Sequence, residues 1–403
     1  MKELESYLKQ NLPVYMEYFR QMISINSFTG NPEGVNQLGA LTADIFAPLG
    51  FQADFVQSAD PAYGKHLFLA RPPFTSSAKT IAMISHLDTV FPPQEELDND
   101  FYWRIEGDRI YGPGTVDIKG GTLMMYMILD ALNSLHPDFY NSVDWLLALD
   151  ASEEALSDDF GTTCLQRLPQ STAACLVFEG GTQVENSFPI VVARKGRATF
   201  KVEVKGRSAH AGNNHALGAN AIHQLAHSIL KIEALTDYTN DLTFNVGVIS
   251  GGTVVNRVPH YAEAVVEMRA FSKQVFQNGY DRMLALADDI QVMSTDGFTC
   301  TVSIQPVYQT GPWPRNAETD RLFSLWESAA RRANLHIQKE ERGGLSDGNL
   351  LCQHFPTLDG LGPTGANAHC SEKSSDGTKD QEYALASSFV PKAILNTLAI
   401  LSL

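Results

Sequence analysis

The chain has 403 residues, 44% of them hydrophobic and 19% charged, with no shortage of core-forming side chains. This is long for one domain and ordinary for a globular protein of two, with enough apolar residues for a sizeable core. Thirty basic against 46 acidic side chains leave a formal net charge of -16, which argues against nucleic acid or an acidic membrane surface as partner. No apolar run approaches bilayer length, and Met1-Lys2-Glu3-Leu4-Glu5-Ser6 has no basic flank leading into an apolar core, so neither a membrane span nor a secretory leader is expected. The five cysteines (Cys164, Cys175, Cys300, Cys352 and Cys370) are odd in number, widely spaced and without a CxxC pair; this reads as reduced thiols in a cytoplasmic protein.

Residues 3–27 carry apolar side chains at helical spacing (Leu4, Tyr7, Leu8, Tyr15, Phe19, Met22, Ile23), and Pro13 predicts two short helices or a kink there. Asn31-Pro32-Glu33 predicts a helix start with proline in its first turn. Short apolar runs then alternate with helical ones: a strand over 80–85, a helix over 118–135, and strands over 143–149 and 174–178. That alternation predicts an α/β fold with a mostly parallel sheet covered by helices.

The pattern changes near residue 190. Residues 198–205 alternate with period two, as a half-exposed strand does. A helix over 217–232, alternating runs over 242–249 and 262–271, a helix over 275–293 and a strand over 299–305 follow. Strand–helix–strand–strand–helix–strand is the ferredoxin-like α+β plan. The expected organisation is thus an α/β domain from residues 1–190 and 307–403, interrupted by a smaller domain at 191–306, with a closing helix over 381–401.

Seven potential metal ligands or proton carriers stand at strand or loop edges, most of them after apolar strands. His86 and Asp88 are two apart at a strand end, so both point to one side, and a carboxylate there can hold a ring N–H. Asp117 lies in the glycine-punctuated Gly112-Pro113-Gly114-Thr115-Val116-Asp117-Ile118-Lys119-Gly120-Gly121, where it could bridge two cations or merely cap a helix. The adjacent carboxylates Glu153 and Glu154 repel unless a cation or proton separates them; in a two-metal hydrolase one binds metal and the other moves a proton. Glu179 ends the run 174–178, and His369 follows the small-residue segment Gly365-Ala366-Asn367-Ala368. Ligands at the carboxyl ends of parallel strands are where α/β sheets place their sites. Each signal alone has a structural alternative; together they are the inventory of a two-metal hydrolytic site.

Other features carry less. His223 and His227 are four apart on an expected helix, without an HExxH pattern or an evident third ligand, and read as a surface pair. Cys370 reads as an inert thiol in an oxygen-rich surrounding. Arg194-Lys195-Gly196-Arg197 could hold a carboxylate or be solvated.

On these segments, with Ser152-Glu153-Glu154, Gly206-Arg207-Ser208-Ala209-His210-Ala211-Gly212 and Gly251-Gly252-Thr253-Val254-Val255-Asn256-Arg257-Val258-Pro259, the chain resembles the M20 family of metallopeptidases over essentially its whole length. The glutamate carboxypeptidase (carboxypeptidase G2-like) branch is most similar. Aminoacylase, acetylornithine deacetylase and succinyl-diaminopimelate desuccinylase are similar more distantly. The resemblance implies that His86 and Glu179 bind one metal, Glu154 and His369 another, and that Asp117 bridges both. It implies Asp88 as the group orienting His86 and Glu153 as general base, then acid. It implies a lid domain that forms a homodimer, with His210 reaching a partner subunit's site to stabilise an oxyanion. Asn256 and Arg269 would hold the substrate carboxylate, with Lys195 a further candidate.

Three differences stand out. The segment after Glu154 (Ala155-Leu156-Ser157-Asp158-Asp159-Phe160-Gly161) is longer than the family's Glu-Glu-x-Gly spacing, Cys370 follows His369 where serine is common, and Trp313-Pro314-Arg315 lacks the arginine that glutamate-releasing members place before the proline.

The expectation is a cytoplasmic exopeptidase or amidohydrolase that cleaves an amide or peptide bond next to a free carboxylate. Two divalent metals, zinc by default with cobalt or manganese able to substitute, would serve it. Its partners would be a small peptide or N-acyl amino acid and a second copy of the chain. The alternatives are an N-acyl amino-acid deacylase and a non-catalytic relative. A nucleotide-binding α/β enzyme would need a strand–turn–helix around its glycines, which 112–121 lacks.

Overall fold

The computed structural model describes residues 1–72, 79–155, 157–182 and 187–403. Contacts divide the chain into a larger unit (residues 1–192, 315–341 and 346–403) and a smaller one (193–314 and 342–345).

The larger unit is built on a six-stranded sheet in the order Gln52–Gln57, Lys65–Ala70, Val143–Asp150, Lys79–His86, Ala174–Val177, Thr357–Leu358. Its last four strands run parallel and its first two pairings are antiparallel. The central strands are buried on both faces, which is why Val143–Asp150 reads as a near-continuous apolar run rather than an alternating one. Helices Lys2–Ile23, Lys119–Leu135, Ala317–Ala333 and Ala386–Ile400 pack into the core around Phe19, Leu129, Trp145 and Trp326. This is the expected α/β class with a mostly parallel sheet.

Differences from expectation have local causes. Pro13 neither splits nor ends the first helix, which runs unbroken over Lys2–Ile23. Leu8, Tyr15, Phe19 and Met22 are all fully or almost fully buried, and that packing outweighs the hydrogen bond lost at the proline. The closing helix begins at Ala386, because Tyr383–Leu385 is drawn into a small sheet with Arg109–Tyr111 and Gly365–Ala366.

The smaller unit has the antiparallel order Thr243–Gly251, Tyr261–Ala270, Gly196–Lys205, Thr301–Thr310, with helices Ala221–Glu233 and Lys273–Ala285 sharing its core. That is the ferredoxin-like plan. Alternation is strict: in Gly196–Lys205 every second side chain is buried, with Phe200, Val202 and Val204 facing the helices' apolar stripe. The second helix stops at Ala285 and gives way to a 3-10 turn, Leu286–Asp288. The last strand runs Thr301–Thr310, with a register shift at Pro306 that accommodates the missing donor. No helix among the described residues is long and apolar enough to cross a membrane.

Candidate active site

His86 is the last residue of the central strand Lys79–His86 and is buried. Its Nε2 lies 3.2 Å from Asp117 Oδ1 and 3.7 Å from Glu179 Oε1. Its Nδ1 faces the Asp88 carbonyl at 3.0 Å and the Asp88 carboxylate at 3.3 Å. Asp88 does more than face the ring. Its carboxylate accepts the Thr29 hydroxyl at 2.6 Å and the amides of Glu153 and Glu154 at 3.1 and 3.2 Å, tying the acidic turn to the His86 strand.

Asp117 and Glu179 meet because glycines let two backbones touch. A Cβ at Gly121 would sit 2.0 Å from the Phe178 carbonyl, and one at Gly180 2.6 Å from the Val116 carbonyl. Asp117 does not cap the following helix, whose N-cap is Ile118 without a side-chain cap. It points instead between two histidines, Oδ1 toward His86 and Oδ2 toward His369 Nε2 at 3.3 Å. The Asp117–Ile118 peptide is cis.

Glu153 and Glu154 open a 3-10 turn after Val143–Asp150. Glu154 Oε1 lies 3.2 Å from His369 Nε2. His369 is held with φ +65°, in the left-handed region that a β-carbon disfavours, two residues after Asn367 at +61°. Such backbone outliers gather where surrounding structure fixes a side chain for use.

The electrostatics follow from crowding. Burial opposes charge on Asp117, but hydrogen bonds from His369 and His86 outweigh it and hold the carboxyl below its ordinary range. Burial pushes Glu153 well up, helped by Glu179, Glu154 and Asp117 and opposed by His86. Burial also raises Glu154, against its hydrogen bond to His369. Hydrogen bonds to Asp117 and Glu154 push His369 up to about 11.

Two triads result, His86–Asp117–Glu179 and Asp117–Glu154–His369, each with donor atoms within 4.8 Å of one another. Two donors bound at about 2.0–2.2 Å to one tetrahedral ion stand roughly 3.3–3.6 Å apart. The observed separations of 3.2, 3.3 and 3.7 Å fit that spacing, and the shared carboxylate suits two ions side by side. The nitrogen and oxygen donor set suits zinc, cobalt or manganese.

His210, Asn256, Arg269 and Lys195 all lie in the smaller unit, but in two separate places. His210 is exposed, its Nδ1 accepts the amides of Gly212 and Asn213, and its neighbour Ala211 donates to the Asn256 carbonyl. Arg269 bonds Glu267 and the Gly343 carbonyl at 2.6 Å each, and Lys195 lies 4.0 Å from Asp241 and 5.3 Å from the Phe271 ring centre. Arg269 pairs across the sheet with Arg197 and Tyr261 with Lys205, so the pairs flank opposite ends of Gly196–Lys205. Eight residues of strand separate Arg197 from Lys205, a distance of about 26 Å.

Sequence reasoning missed three buried groups. Glu382 accepts the amides of Val116 and Asp117 at 2.9 and 3.2 Å, backing Asp117 from behind, and burial pushes it up to about 8. Asp347 is buried and raised by burial and by Asp150, Glu153 and Glu179. His66 bonds two acids that flank the Glu153–Glu154 turn. His66 offered the signal of a lone histidine in an apolar strand, whereas Asp347 and Glu382 lie in polar segments that read as solvated loops.

Residues 192–291 match the peptidase dimerisation domain of the M20 family. Carboxypeptidase G2 from a Pseudomonas species (strain RS-16) is 23% identical over 358 residues, covering 89% of this chain and 83% of that protein. Acetylornithine deacetylase from Klebsiella pneumoniae (strain 342) is 26% identical over 278 residues, 65% of this chain and 69% of that one. Among solved structures, an M20 family metallo-carboxypeptidase from Sulfolobus solfataricus superposes with TM-score 0.70 at 16% identity, covering 96% of this chain and 98% of that one, a likeness of fold. The chain thus carries the M20 peptidase dimerisation domain, is a homologue of carboxypeptidase G2 over most of its length and shares its fold with M20 metallopeptidases.

Proposed function

We propose that the chain is a two-metal exopeptidase of the glutamate carboxypeptidase type, cleaving an amide or peptide bond next to a free carboxylate. The observation that carries this reading is the pair of donor triads sharing Asp117 with Glu153 beside them. His86, Asp117 and Glu179 would hold one divalent ion, and Asp117, Glu154 and His369 the other, zinc being the best match to the donors. Ions bound there supply polarisation of the scissile carbonyl and a lower pKa for water. The rest falls to the chain. Asp88 fixes the His86 ring and the Glu153–Glu154 turn together. Once Glu179, Glu154 and Asp117 are engaged as ligands, Glu153 is left as the free carboxylate. It takes a proton from the attacking water and passes it to the leaving nitrogen.

The smaller unit would act as lid and as homodimer contact. Its edge strand Thr243–Gly251 exposes Val248 and Ile249, and the helix Ala221–Glu233 exposes Leu230, an apolar surface suited to a second copy. In this reading His210 would serve a partner subunit's site, while Asn256 and Arg269, with Lys195 as a further candidate, would hold the substrate carboxylate. The five cysteines form no disulfide, in keeping with a cytoplasmic protein.

A second reading, N-acyl amino-acid deacylase, is favoured by one observation. A fully buried Trp313 stands before Pro314, and Arg315 after it is paired through Nε with Asp320 at 3.0 Å, so no arginine precedes this proline to meet a glutamate side chain. Elemental analysis together with amino-acid release from N-acyl and α- or γ-linked dipeptide substrates tests both. Two metals per chain and chelator-sensitive release are expected, the preferred substrate deciding between the readings. No metal and no release after zinc reconstitution would sink both and favour a binding-only relative.

A further inference from the structure

His66 is the second residue of Lys65–Ala70 and fully buried, yet its ring meets an acid at each nitrogen. Nδ1 lies 3.0 Å from Asp150 Oδ1 and Nε2 lies 3.1 Å from Asp159 Oδ2. The Ala151 amide also points at Nδ1, at 3.2 Å, but one ring nitrogen cannot accept from Ala151 and donate to Asp150. The Asp150 contact is shorter, and a ring flanked by two carboxylates favours a proton on both nitrogens. Burial opposes that charge, but Asp150 and Asp159 outweigh it and raise the ring's pKa. Phe160 covers the ring, with centroids 5.4 Å apart, and stacks in turn on Phe68.

The two acids bracket the functional turn. Asp150 ends the strand that leads into Glu153 and Glu154, and Asp159 lies in the first turn of the helix Asp158–Arg167 that follows them. Asp150 also accepts the Ser152 amide at 2.9 Å and the Ser157 hydroxyl at 2.6 Å, closing the base of the turn on itself. Asp159 accepts the Ala59 amide at 2.6 Å. Asp88 holds the turn at its front through the Glu153 and Glu154 amides; His66 spans its base. The long segment after Glu154 thus supplies the second anchor.

We propose that His66 is a positioning residue: by bridging Asp150 and Asp159 it fixes the span of the Glu153–Glu154 turn and so the reach of both glutamates into the donor set. Its geometry stands by itself, and its consequence for turnover rests on the hydrolase reading above.

Two variants cut the same contact from opposite sides. His66→Asn keeps a donor toward Asp150 and loses Asp159. Asp159→Ala changes a partly exposed side chain and should fold even if the buried substitution does not. Hydrogen exchange of the metal-free chain reads the strap directly: the Ser152, Glu153 and Glu154 amides should exchange about tenfold faster in both variants. In zinc-loaded protein, affinity for the weaker zinc, measured by chelator competition, should fall about 10–100-fold. Turnover kcat should fall similarly with KM within about twofold, and the double variant should be no worse than the worse single one. Unchanged exchange at these amides in a folded Asp159→Ala protein overturns the strap. Faster exchange with unchanged zinc affinity and kcat overturns the positioning role. The hydrolase reading fails separately, if the parent chain binds no zinc and releases nothing, and the exchange result still decides the strap.

Discussion

Replacing Glu153 by glutamine probes the assignment of the proton carrier with little change of shape. The turn is held by its backbone, the Glu153 amide donating to Asp88 at 3.1 Å, so the substitution leaves its anchor in place. Neither donor triad includes Glu153, so two metals per chain should remain. General acid–base catalysis contributes about 10²–10⁴-fold, and kcat should fall by that factor, roughly 3–5 kcal/mol of barrier, with KM little changed. The metal-free chain gives an independent readout. Burial and three neighbouring carboxylates place Glu153 well above its ordinary pKa. A carboxyl raised in the folded state contributes stability that is full below the unfolded pKa and lost as pH rises through the folded one. Glutamine removes that loss, so calorimetry in chelator should show a higher Tm than the parent at pH 8 and no gain at pH 4. Full activity would refute the base assignment; loss of one metal would recast Glu153 as a ligand.

In the metal-free chain His369 is pushed up to about 11 by Asp117 and Glu154, so a proton must leave before its nitrogen can bind. Zinc affinity at the weaker site should therefore rise about tenfold per pH unit from 6.5 to 8.5, with protons released in titration calorimetry; a flat profile would contradict the assignment. Leu129→Ala opens a cavity at a fully buried position of the helix Lys119–Leu135 and should cost about 2–5 kcal/mol, read as a lower urea midpoint. Ile249→Asp on the edge strand should shift sedimentation from dimer to monomer and, if His210 acts across the dimer, lower kcat; an unchanged dimer would place the contact elsewhere.

The fold was largely legible because its two units carry different periodicities. The run 143–149 is apolar throughout and buried on both faces, whereas 198–205 alternates and buries one face, and each pattern reports its sheet. Element ends were less legible. Pro13 carries a local signal that tertiary packing overrides, and Tyr383–Leu385 is a strand only because Arg109–Tyr111, far away in sequence, pairs with it. The candidate site divides in the same way. His86 and Glu179 stand out as polar residues at the ends of buried strands. Glu382 and His66 act through partners tens of residues away, Asp117 and Asp150 among them, and no local pattern marks such pairings.

The larger unit is discontinuous in sequence, and this orders its assembly during synthesis. His86, Asp117, Glu154 and Glu179 all leave the ribosome before the smaller unit does, and His369 only long after it. The strand Thr357–Leu358, which completes the edge of the main sheet beside Ala174–Val177, is equally late. The inserted unit has its own closed core and can fold while the acidic half-site is still waiting for its last histidine. A nascent chain therefore passes through an interval in which carboxylates are already gathered but one triad lacks its nitrogen. The second triad is thereby completed only after His369 has emerged.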